Sequence, residues 1–334
     1  MATDAAAQVD QASLLVAART GDEHAFARLL EPHRQALHVH CYRLLGSFHD
    51  ADDALQETSL RAWRALDRFE AHTSFRAWLY RIATNVCLRA IERRARVPEV
   101  LDPAEVEVVT YLQPYPNRLL ETDLTVEARE TVGLAFVSVM QLLPPRQRVV
   151  LVLRDVLGWS AKDVADLLES SVASVNSALQ RARENLERER AAGRLAREHA
   201  PASPESEARV IARFMAAWEA VDVDGIVSLL AGDAVLTMPP EPMRLAGAAA
   251  IGEFFRTVPA DGALDRIRLV PTGANGQPAL AAYLEGEAGA YQPYGVMVFA
   301  LDGDEVAGIT GFAEATLFAE LGLPAILGVK QKPD

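Results

Sequence analysis

The stretch from 142 to 187 constrains the fold more than any other part of this 334-residue chain. Apolar residues recur at helical spacing up to Val156, and a break follows at Gly158. A second helical pattern starts after Ser160, a residue type suited to cap a helix, and polar residues at 169–171 separate it from a last helix. The apolar stripe of that helix comprises Val172, Val175, Leu179 and Leu186. A short helix, a tight turn and a longer helix form the helix-turn-helix pattern.

The outer face of the last helix is small, polar and cationic, which suits contact with DNA. Short Ser and Asn side chains near the start of such a helix can approach base edges, and Gln and Arg one turn later can reach bases or phosphates. The alternative is a helical hairpin whose outer face is only solvated. The candidate DNA-contacting residues of this face are Ser171, Ser174, Asn176, Ser177, Gln180, Arg181 and Arg183.

The motifs of this stretch resemble region 4 of the extracytoplasmic-function (ECF) sigma factors, within the sigma-70 family. PPRQR at 144–148, LRDVLGWS at 153–160 and VNSALQRAR at 175–183 carry the resemblance. It implies a domain that recognises the minus-35 promoter element, and a helix predicted at 126–141 opens that domain.

A second resemblance, to region 2 of the same family, covers 47–94. DADDALQE at 50–57 resembles the segment that docks on the β′ clamp helices of RNA polymerase, and SFRAWLYRIATNVCL at 74–88 resembles the minus-10 reader. The loop at 69–74 is implied to hold a base flipped out of the non-template strand. The implied docking residues are Asp50, Asp52, Asp53, Gln56 and Glu57. The implied minus-10 residues are His72, Thr73, Ser74, Arg76, Arg81, Asn85, Arg89 and Arg93.

Some of these residues have simpler explanations. Acidic side chains favour helix N-termini, which accounts for the aspartates at 50–53 without any partner. Phe75 and Trp78 lie on the apolar side of the helix predicted at 75–94, so core packing is favoured over stacking on bases. Cys41 and Cys87 are the two cysteines of the chain, and they fall in amphipathic patterns without CxxC spacing. We expect both to be buried, in a reducing cytoplasm.

Prolines and composition shifts divide the chain into domains. We predict sigma region 2 at 10–97, a linker at 98–125, sigma region 4 at 126–190, a second linker at 191–204 and a C-terminal domain at 205–330. YLQPYPNRLL at 111–120 resembles a linker signature of the SigG-like ECF subgroup. The acidic linker is interpreted either as a mimic of nucleic-acid charge or as a solvated tether.

The C-terminal domain combines helical patterns with strand-like runs, which favours an α+β fold. We expect helices first and then a curved antiparallel sheet with a hairpin turn at 302–304. DAVLTMPPEP at 233–242 and YQPYGVMVFALDGDEVAGIT at 291–310 resemble SnoaL-like domains of the nuclear-transport-factor-like (NTF2-like) superfamily, which implies a cone-shaped fold with a pocket. The candidate pocket residues, which could equally form an ordinary core, are Trp218, Met238, Tyr283, Tyr291 and Phe299.

Folds of this kind include enzymes, so the acidic residues of this domain are considered as candidate catalytic groups. They are Asp222, Asp224, Asp233 and Glu241. The last histidine of the chain is His199, so no Asp–His pair can form within the C-terminal domain. Asp222 and Asp224 flank a predicted helix start and look like caps. We therefore expect no catalytic residue, no cofactor and no metal.

Charge is unevenly distributed along the chain. Residues 201–334 carry 8 Lys and Arg against 18 Asp and Glu, a balance of −10, so the first 200 residues account for −3 of the total of −13. A sigma factor binds DNA mainly as part of polymerase, and local arginine clusters are the better indicator. No apolar run approaches the roughly 20 residues of a membrane span, and no secretion signal is visible, which predicts a cytoplasmic protein without a membrane partner.

The predicted fold class is multidomain: two all-α sigma domains, a region 2 bundle and a region 4 helix-turn-helix, followed by an α+β, cone-shaped SnoaL-like domain. The expected function is promoter-specific transcription initiation. The expected partners are promoter DNA and core RNA polymerase, contacted at the β′ clamp helices and the β flap. The fused domain is expected to regulate sigma activity in cis, with a small-molecule ligand as a candidate partner. The alternatives are a ligand-responsive helix-turn-helix repressor, which would not need the segment 47–94, and an isomerase or hydrolase with an N-terminal fusion.

Overall fold

A computed structural model of the chain describes residues 2–70, 74–94, 112–120, 131–191, 202–241, 243–286 and 289–328. The helices in chain order are α1 (Ala2–Arg19), α2 (Glu23–Leu45), α3 (Phe48–Ala65), α4 (Phe75–Arg94), α5 (Leu134–Leu142), α6 (Pro145–Leu151), α7 (Ala161–Leu167), α8 (Val172–Ala191), α9 (Pro204–Glu219), α10 (Val223–Val227), α11 (Ala248–Thr257) and α12 (Leu317–Glu320). The strands are β1 (Leu230–Thr237), β2 (Arg244–Ala246), β3 (Ile267–Ala274), β4 (Gln277–Glu285), β5 (Tyr291–Asp302) and β6 (Glu305–Phe312).

The chain divides into two compact units. The first comprises Met1–Glu99 and Leu143–Asn185, and the second comprises Val100–Leu142 and Leu186–Asp334. Helix α5 therefore falls in the same unit as the C-terminal domain. The predicted domain boundaries stay predictions.

The first unit begins as a helical bundle of α1 to α4, and its boundaries follow from local sequence. Asp22 caps α2 by accepting a hydrogen bond from the backbone N of Ala25 at 3.0 Å. Gly46 forms the C-cap of α2, and its φ of 74° suits glycine. Helix α4 begins and ends where the sequence predicts, at 75 and 94. Cys41 and Cys87 are both fully buried in this bundle, as predicted.

The second half of the first unit has the predicted helix-turn-helix. Helix α6 continues into a π-helical turn at Val152–Val156, and Ser160 then caps α7. The sequence assignment of Val172 to the buried stripe is wrong, because its side chain is 43% exposed. Residues 171–174 are all exposed, so the first turn of α8 projects beyond the core that buries Val175 and Leu179.

The second unit contains a six-stranded sheet in the order β2-β1-β6-β5-β4-β3. Strands β3 to β6 form an antiparallel meander, as predicted, with the hairpin turn between Asp302 and Glu305. The expectation of a wholly antiparallel sheet is wrong, because β1 pairs with β6 in parallel, with Val235 opposite Gly308. The alternation of apolar and polar residues along a strand indicates which side chains are buried. It does not indicate whether a partner strand about 70 residues away runs parallel or antiparallel, so local sequence could not reveal this pairing.

Helices α9 and α11 supply aromatic side chains to the core beside the sheet. The ring of Phe214 lies 4.9 Å from that of Phe299 and 6.1 Å from that of Phe255, measured between centroids. Trp218 is 2% exposed, and its indole Nε1 donates to the carbonyl of Ile267 at 3.3 Å. A buried indole N–H is thereby satisfied, which keeps the large ring in an apolar environment at low cost.

Candidate nucleic-acid interface and C-terminal cavity

Helix α8 presents all seven predicted minus-35 residues on its exposed side. Ser171 caps the helix, since its Oγ accepts from the backbone N of Ser174 at 3.1 Å. On the opposite side of α8, Val175 and Ala182 are 1% and 0% exposed, so this side packs against the rest of the first unit. The exposed residues are Ser171, Ser174, Asn176, Ser177, Gln180, Arg181 and Arg183.

Side-chain hydrogen bonds order this outer face of α8. Arg181 Nη1 donates to Ser177 Oγ at 2.7 Å, and Gln180 Nε2 donates to Glu184 Oε1 at 2.9 Å. Arg183 forms a two-pronged ion pair with Asp155, with Nε and Nη2 each within 2.9 Å of a carboxylate oxygen. This hydrogen-bonded ion pair raises the pKa of Arg183. The cations remain exposed, which is the arrangement that DNA phosphates require.

Helix α4 carries the described part of the predicted minus-10 set. Arg81, Asn85, Arg89 and Arg93 recur every four residues and are all exposed, so they form one line along the helix. Ser74 and Arg76 are also exposed at its start. His72 and Thr73 lie outside the described residues.

The aromatic residues at the start of α4 belong mostly to the core. Phe75 is 4% exposed and packs against Phe69 and Trp78, with ring centroids 5.3 and 5.5 Å away. Trp78 is only half-buried. It borders a groove of about 750 Å³ that is also lined by Trp159. The prediction of core packing is confirmed for Phe75.

The acidic residues of α3 are partly engaged within the bundle. Asp50 forms an ion pair with Arg94, Gln56 Nε2 donates to Asp52 Oδ2 at 2.9 Å, and Glu57 pairs with Arg61 at 2.6 Å. Asp53 is exposed. Asp50 lies in the first turn of α3, which agrees with the helix-terminus explanation, and its ion pair with Arg94 gives it a further structural role. Docking by the set as a whole stays a prediction.

The C-terminal domain encloses a cavity of about 100 Å³ between α11 and the sheet. Of the candidate pocket residues, Trp218 and Met238 line it, whereas Tyr283, Tyr291 and Phe299 do not. Tyr294, which no sequence pattern singled out, also lines the cavity, and its hydroxyl accepts from the backbone N of Ala260 at 3.2 Å.

The three misplaced pocket residues have other roles. Tyr283 donates its hydroxyl to the carbonyl of Pro324 at 2.8 Å and packs on Phe318 at 4.9 Å. Its neighbour Ala282 lines the cavity, so alternation along β4 directs Tyr283 to the opposite face. Tyr291 lies under the guanidinium of Arg268 at 4.6 Å, and Phe299 is part of the aromatic core.

The candidate acids of this domain do not line the cavity. Asp222 caps α10 by accepting from the backbone N of Gly225 at 2.8 Å, as predicted. Asp224 pairs with Arg256 at 2.5 Å. Asp233 and Glu241 are exposed.

The segment 112–120 docks on the turn between β3 and β4 in the second unit. Asn275 is 1% exposed, its Oδ1 accepts from the backbone N of Tyr115 at 2.7 Å, and its Nδ2 donates to the carbonyl of Val132 at 2.6 Å. The backbone N of Asn275 also donates to the carbonyl of Tyr115 at 2.7 Å. Asn117 Oδ1 accepts from the backbone N of Gly276 at 2.7 Å. We call this set of contacts the linker clamp.

The linker clamp also reaches the start of α5. Gln277 Oε1 accepts from the backbone N of Leu134 at 3.0 Å. No sequence pattern had singled out Asn275 as a partner of the linker. The Asn-Gly pair at 275–276 signals a hairpin turn, and φ values of 58° and 71° confirm it, but the signal does not reveal what the turn binds.

Among the described residues, none of the helices combines the length and the apolar character that a membrane crossing demands.

Three family descriptions match the chain in order. They are Sigma-70 region 2 at 29–97, Sigma-70 region 4 at 134–186 and SnoaL-like domain at 211–309. The chain is 42% identical over 323 residues to the ECF RNA polymerase sigma factor SigG of Mycobacterium tuberculosis, a match that covers 92% of this chain and 85% of that relative. It is 31% identical over 173 residues to the ECF RNA polymerase sigma factor SigW of Bacillus subtilis, covering 51% of this chain and 91% of that relative.

A solved structure shares the fold over most of the chain. The crystal structure of the Mycobacterium tuberculosis ECF sigma factor SigJ superposes with a TM-score of 0.60 at 23% identity, covering 90% of this chain and 99% of that one. Two sigma regions in the family's order do not favour the repressor interpretation. The chain therefore belongs to the ECF RNA polymerase sigma factors of the sigma-70 family and carries a fused C-terminal SnoaL-like domain.

Proposed function

We propose that this sigma factor reads the minus-10 element with the exposed line of α4 and the minus-35 element with the outer face of α8. The supporting observation is that both helices carry exposed arginines next to short polar side chains, the residue types that bind phosphates and base edges. The acidic side of α3 is proposed to dock on the β′ clamp helices of core polymerase, and region 4 on the β flap. The protein then works where polymerase works, in the cytoplasm.

The fused domain is proposed to do no covalent chemistry. Asp222 is engaged as a helix cap and Asp224 as a partner of Arg256, so neither is poised to exchange a proton with a substrate. The cavity wall contains Trp218, Met238 and Tyr294 but no Asp, Glu, His, Lys or Arg. A ligand of this cavity would accordingly be small, uncharged and apolar.

The fused domain is further proposed to regulate initiation in cis through the linker clamp. The linker joins the two DNA-reading domains, so a linker held by Asn275 cannot extend as those domains separate. Tyr115 is 1% exposed in the clamp, which means that its release would expose a large apolar side chain to water. The clamp therefore favours the form in which the linker is bound to the C-terminal domain.

Transcription with purified core polymerase tests both parts of the proposal. The full chain and a truncation to 1–204 are compared on several promoters, including the promoter of the chain's own gene. Specific transcripts from either chain support the sigma assignment of the DNA-reading faces. A difference between the two chains supports regulation by the fused domain, and its direction gives the sign.

A single substitution isolates the linker clamp in the full chain. Asn275→Gly keeps the turn, because glycine accepts a φ of 58°, and removes the side-chain bonds to Tyr115 and Val132. Amide hydrogen exchange at Gly276, whose N–H keeps its acceptor Asn117 Oδ1 in this variant, reports whether the clamp has opened. Faster exchange with a changed transcript yield is the expected result. Faster exchange with an unchanged yield would rule out regulation through the clamp.

A further inference from the structure

The ion pair between Asp155 and Arg183 joins two parts of the helix-turn-helix that are 28 residues apart. Arg183 Nε lies 2.9 Å from Asp155 Oδ2, and Arg183 Nη2 lies 2.8 Å from Asp155 Oδ1. Asp155 projects from the π-helical turn at Val152–Val156, a rare local geometry that is often found at functional sites. Arg183 lies on the outer face of α8.

The atoms used in this pair leave part of the guanidinium unoccupied by Asp155. A guanidinium has two forked edges, one formed by Nε with Nη2 and the other by Nη1 with Nη2. Asp155 takes the first edge, so the second edge remains to bind another pair of oxygens. A carboxylate that holds one edge also fixes the plane of the group, which reduces the rotamer freedom that binding would otherwise remove.

Folding stability is a weak explanation for this pair. The side chain of Arg183 is 60% exposed and that of Asp155 is 33% exposed, and exposed ion pairs contribute little to stability. A carboxylate near a DNA-binding face also repels phosphates, so by charge alone Asp155 would weaken binding. The ion pair therefore strengthens DNA binding only if the affinity gained by orienting Arg183 exceeds the affinity lost to that repulsion.

The position of Arg183 along α8 indicates which group its second edge meets. It lies eleven residues after Val172, roughly 16 Å further along the axis at about 1.5 Å per residue. The first turns of a recognition helix approach base edges, whereas residues further along are placed to reach the sugar-phosphate backbone. We infer that Asp155 is a positioning residue, holding Arg183 so that its second edge binds a backbone phosphate beside the minus-35 element. This inference rests on the proposed DNA-reading role of α8.

Promoter binding by the full chain with core polymerase tests the inference. Equilibrium affinities are measured at several salt concentrations, on duplexes with a matched and an altered minus-35 element. Arg183→Ala should weaken both duplexes alike and reduce the magnitude of the salt slope by about 1. Asp155→Asn and Asp155→Ala should each weaken binding by about fivefold. When Arg183 is already alanine, neither should weaken binding, and either should leave affinity unchanged or raise it, because only the repulsion between Asp155 and the phosphates is then removed.

Glu184 provides the matched control, because it is an acidic residue on α8 whose carboxylate accepts from Gln180. Glu184→Gln removes one negative charge without touching Arg183, so it should leave affinity unchanged or raise it. The inference is overturned if Asp155→Asn raises affinity as Glu184→Gln does, or if its loss persists without Arg183. A loss confined to the matched duplex would also overturn it, since that marks a base contact.

Two further measurements separate this inference from folding and from the proposed function. Urea unfolding midpoints of Asp155→Asn and the wild type should agree. If Asp155 and Arg183 are coupled in the unfolding midpoints but not in DNA affinity, the pair stabilises the fold and does not act in DNA binding. That result would overturn the inference. Wild-type holoenzyme that is insensitive to the minus-35 sequence would instead contradict the proposed function of α8.

Discussion

Nη2 of Arg81 on α4 lies 2.8 Å from Oε1 of Glu169, which has a φ of 49° in the turn before α8. Close by, the rings of Tyr80 and Trp159 approach to 5.6 Å between centroids. The proposed minus-10 helix and the helix-turn-helix thus contact each other within the first unit. Promoter elements named minus-10 and minus-35 are about 25 base pairs apart, roughly 85 Å at 3.4 Å per pair. If α4 and α8 bind these elements as proposed, these contacts break when both elements are bound.

The first prediction concerns Glu169→Gln, which removes the ion pair but leaves Arg81 in place. The side chains of Arg81 and Glu169 are 45% and 80% exposed, so the pair is worth about 0–1 kcal/mol. We expect promoter binding by the holoenzyme to strengthen by up to about fivefold at low salt. The effect should vanish at high salt because an exposed pair is screened. Asp166→Asn, an equal loss of charge on the exposed side of α7, is the control, and an equal gain from it would contradict the prediction.

The second prediction concerns Arg148 of the PPRQR motif, which is 5% exposed. Its Nη1 donates to the carbonyl of Leu44 at 2.5 Å and its Nη2 to that of Leu143 at 3.2 Å. Burial, and secondarily the charge of Arg94, lowers the pKa of Arg148 to about 10. Arg148→Met should destabilise the first unit by about 2–4 kcal/mol, because buried carbonyls lose their donors. Urea unfolding measures this.

The matched control for Arg148 is Arg146, two residues earlier, which is exposed and bonds to the carbonyl of Leu168 at 3.3 Å. Arg146→Met should change the free energy of unfolding by less than about 0.5 kcal/mol. Equal effects of the two substitutions would mean that the buried bonds of Arg148 carry no net stabilisation.

Helical features could be predicted from the sequence because their signals are local. The period of α4, the cap at Ser160 and the exposed face of α8 all depend on residues within a few positions of one another. The meander β3 to β6 was likewise visible as alternating runs with turn residues between them.

Features that join distant segments could not be predicted in the same way. The hydrogen bond between Tyr115 and Asn275 spans 160 residues, and the pair Arg81–Glu169 spans 88. Neither residue of such a pair carries a local signal of its partner. Tyr283 was misplaced for a related reason, because alternation separates the two faces of a strand without stating which face meets the cavity.

The third prediction concerns acid. Burial lowers the pKa of His40 to about 3, with a smaller contribution from the charge of Arg43. The folded state holds the neutral imidazole, so no stability is lost above the unfolded pKa of about 6.5. As the pH falls below that value, the unfolded state binds the proton first. Stability then falls until the pH reaches the folded pKa, by about 2 kcal/mol at pH 5.

Urea unfolding at pH 7 and pH 5 measures this loss. His40→Gln should shrink the difference between the two pH values by about 2 kcal/mol, whatever it does to stability at pH 7. His24→Gln, at an exposed position, serves as the control and should leave the difference unchanged. His38, whose pKa burial lowers to about 4, should keep part of the pH dependence in both variants. A wild-type chain equally stable at both pH values would contradict the assignment.

The fourth prediction compares two glycines of the SnoaL-like sheet, both near the cavity. A Cβ on Gly295 would lie 2.9 Å from the carbonyl oxygen of Phe312, a backbone atom fixed by strand pairing. A Cβ on Gly311 would lie 3.2 Å from Cγ of Met238, which can move because its side chain is flexible. Gly295→Ala should therefore destabilise the domain by about 1–3 kcal/mol, and Gly311→Ala by less than about 1 kcal/mol. Thermal unfolding of the two full-length variants measures both losses of stability. A larger loss for Gly311→Ala than for Gly295→Ala would mean that the paired strands adjust to an added Cβ more easily than the side chain of Met238 does.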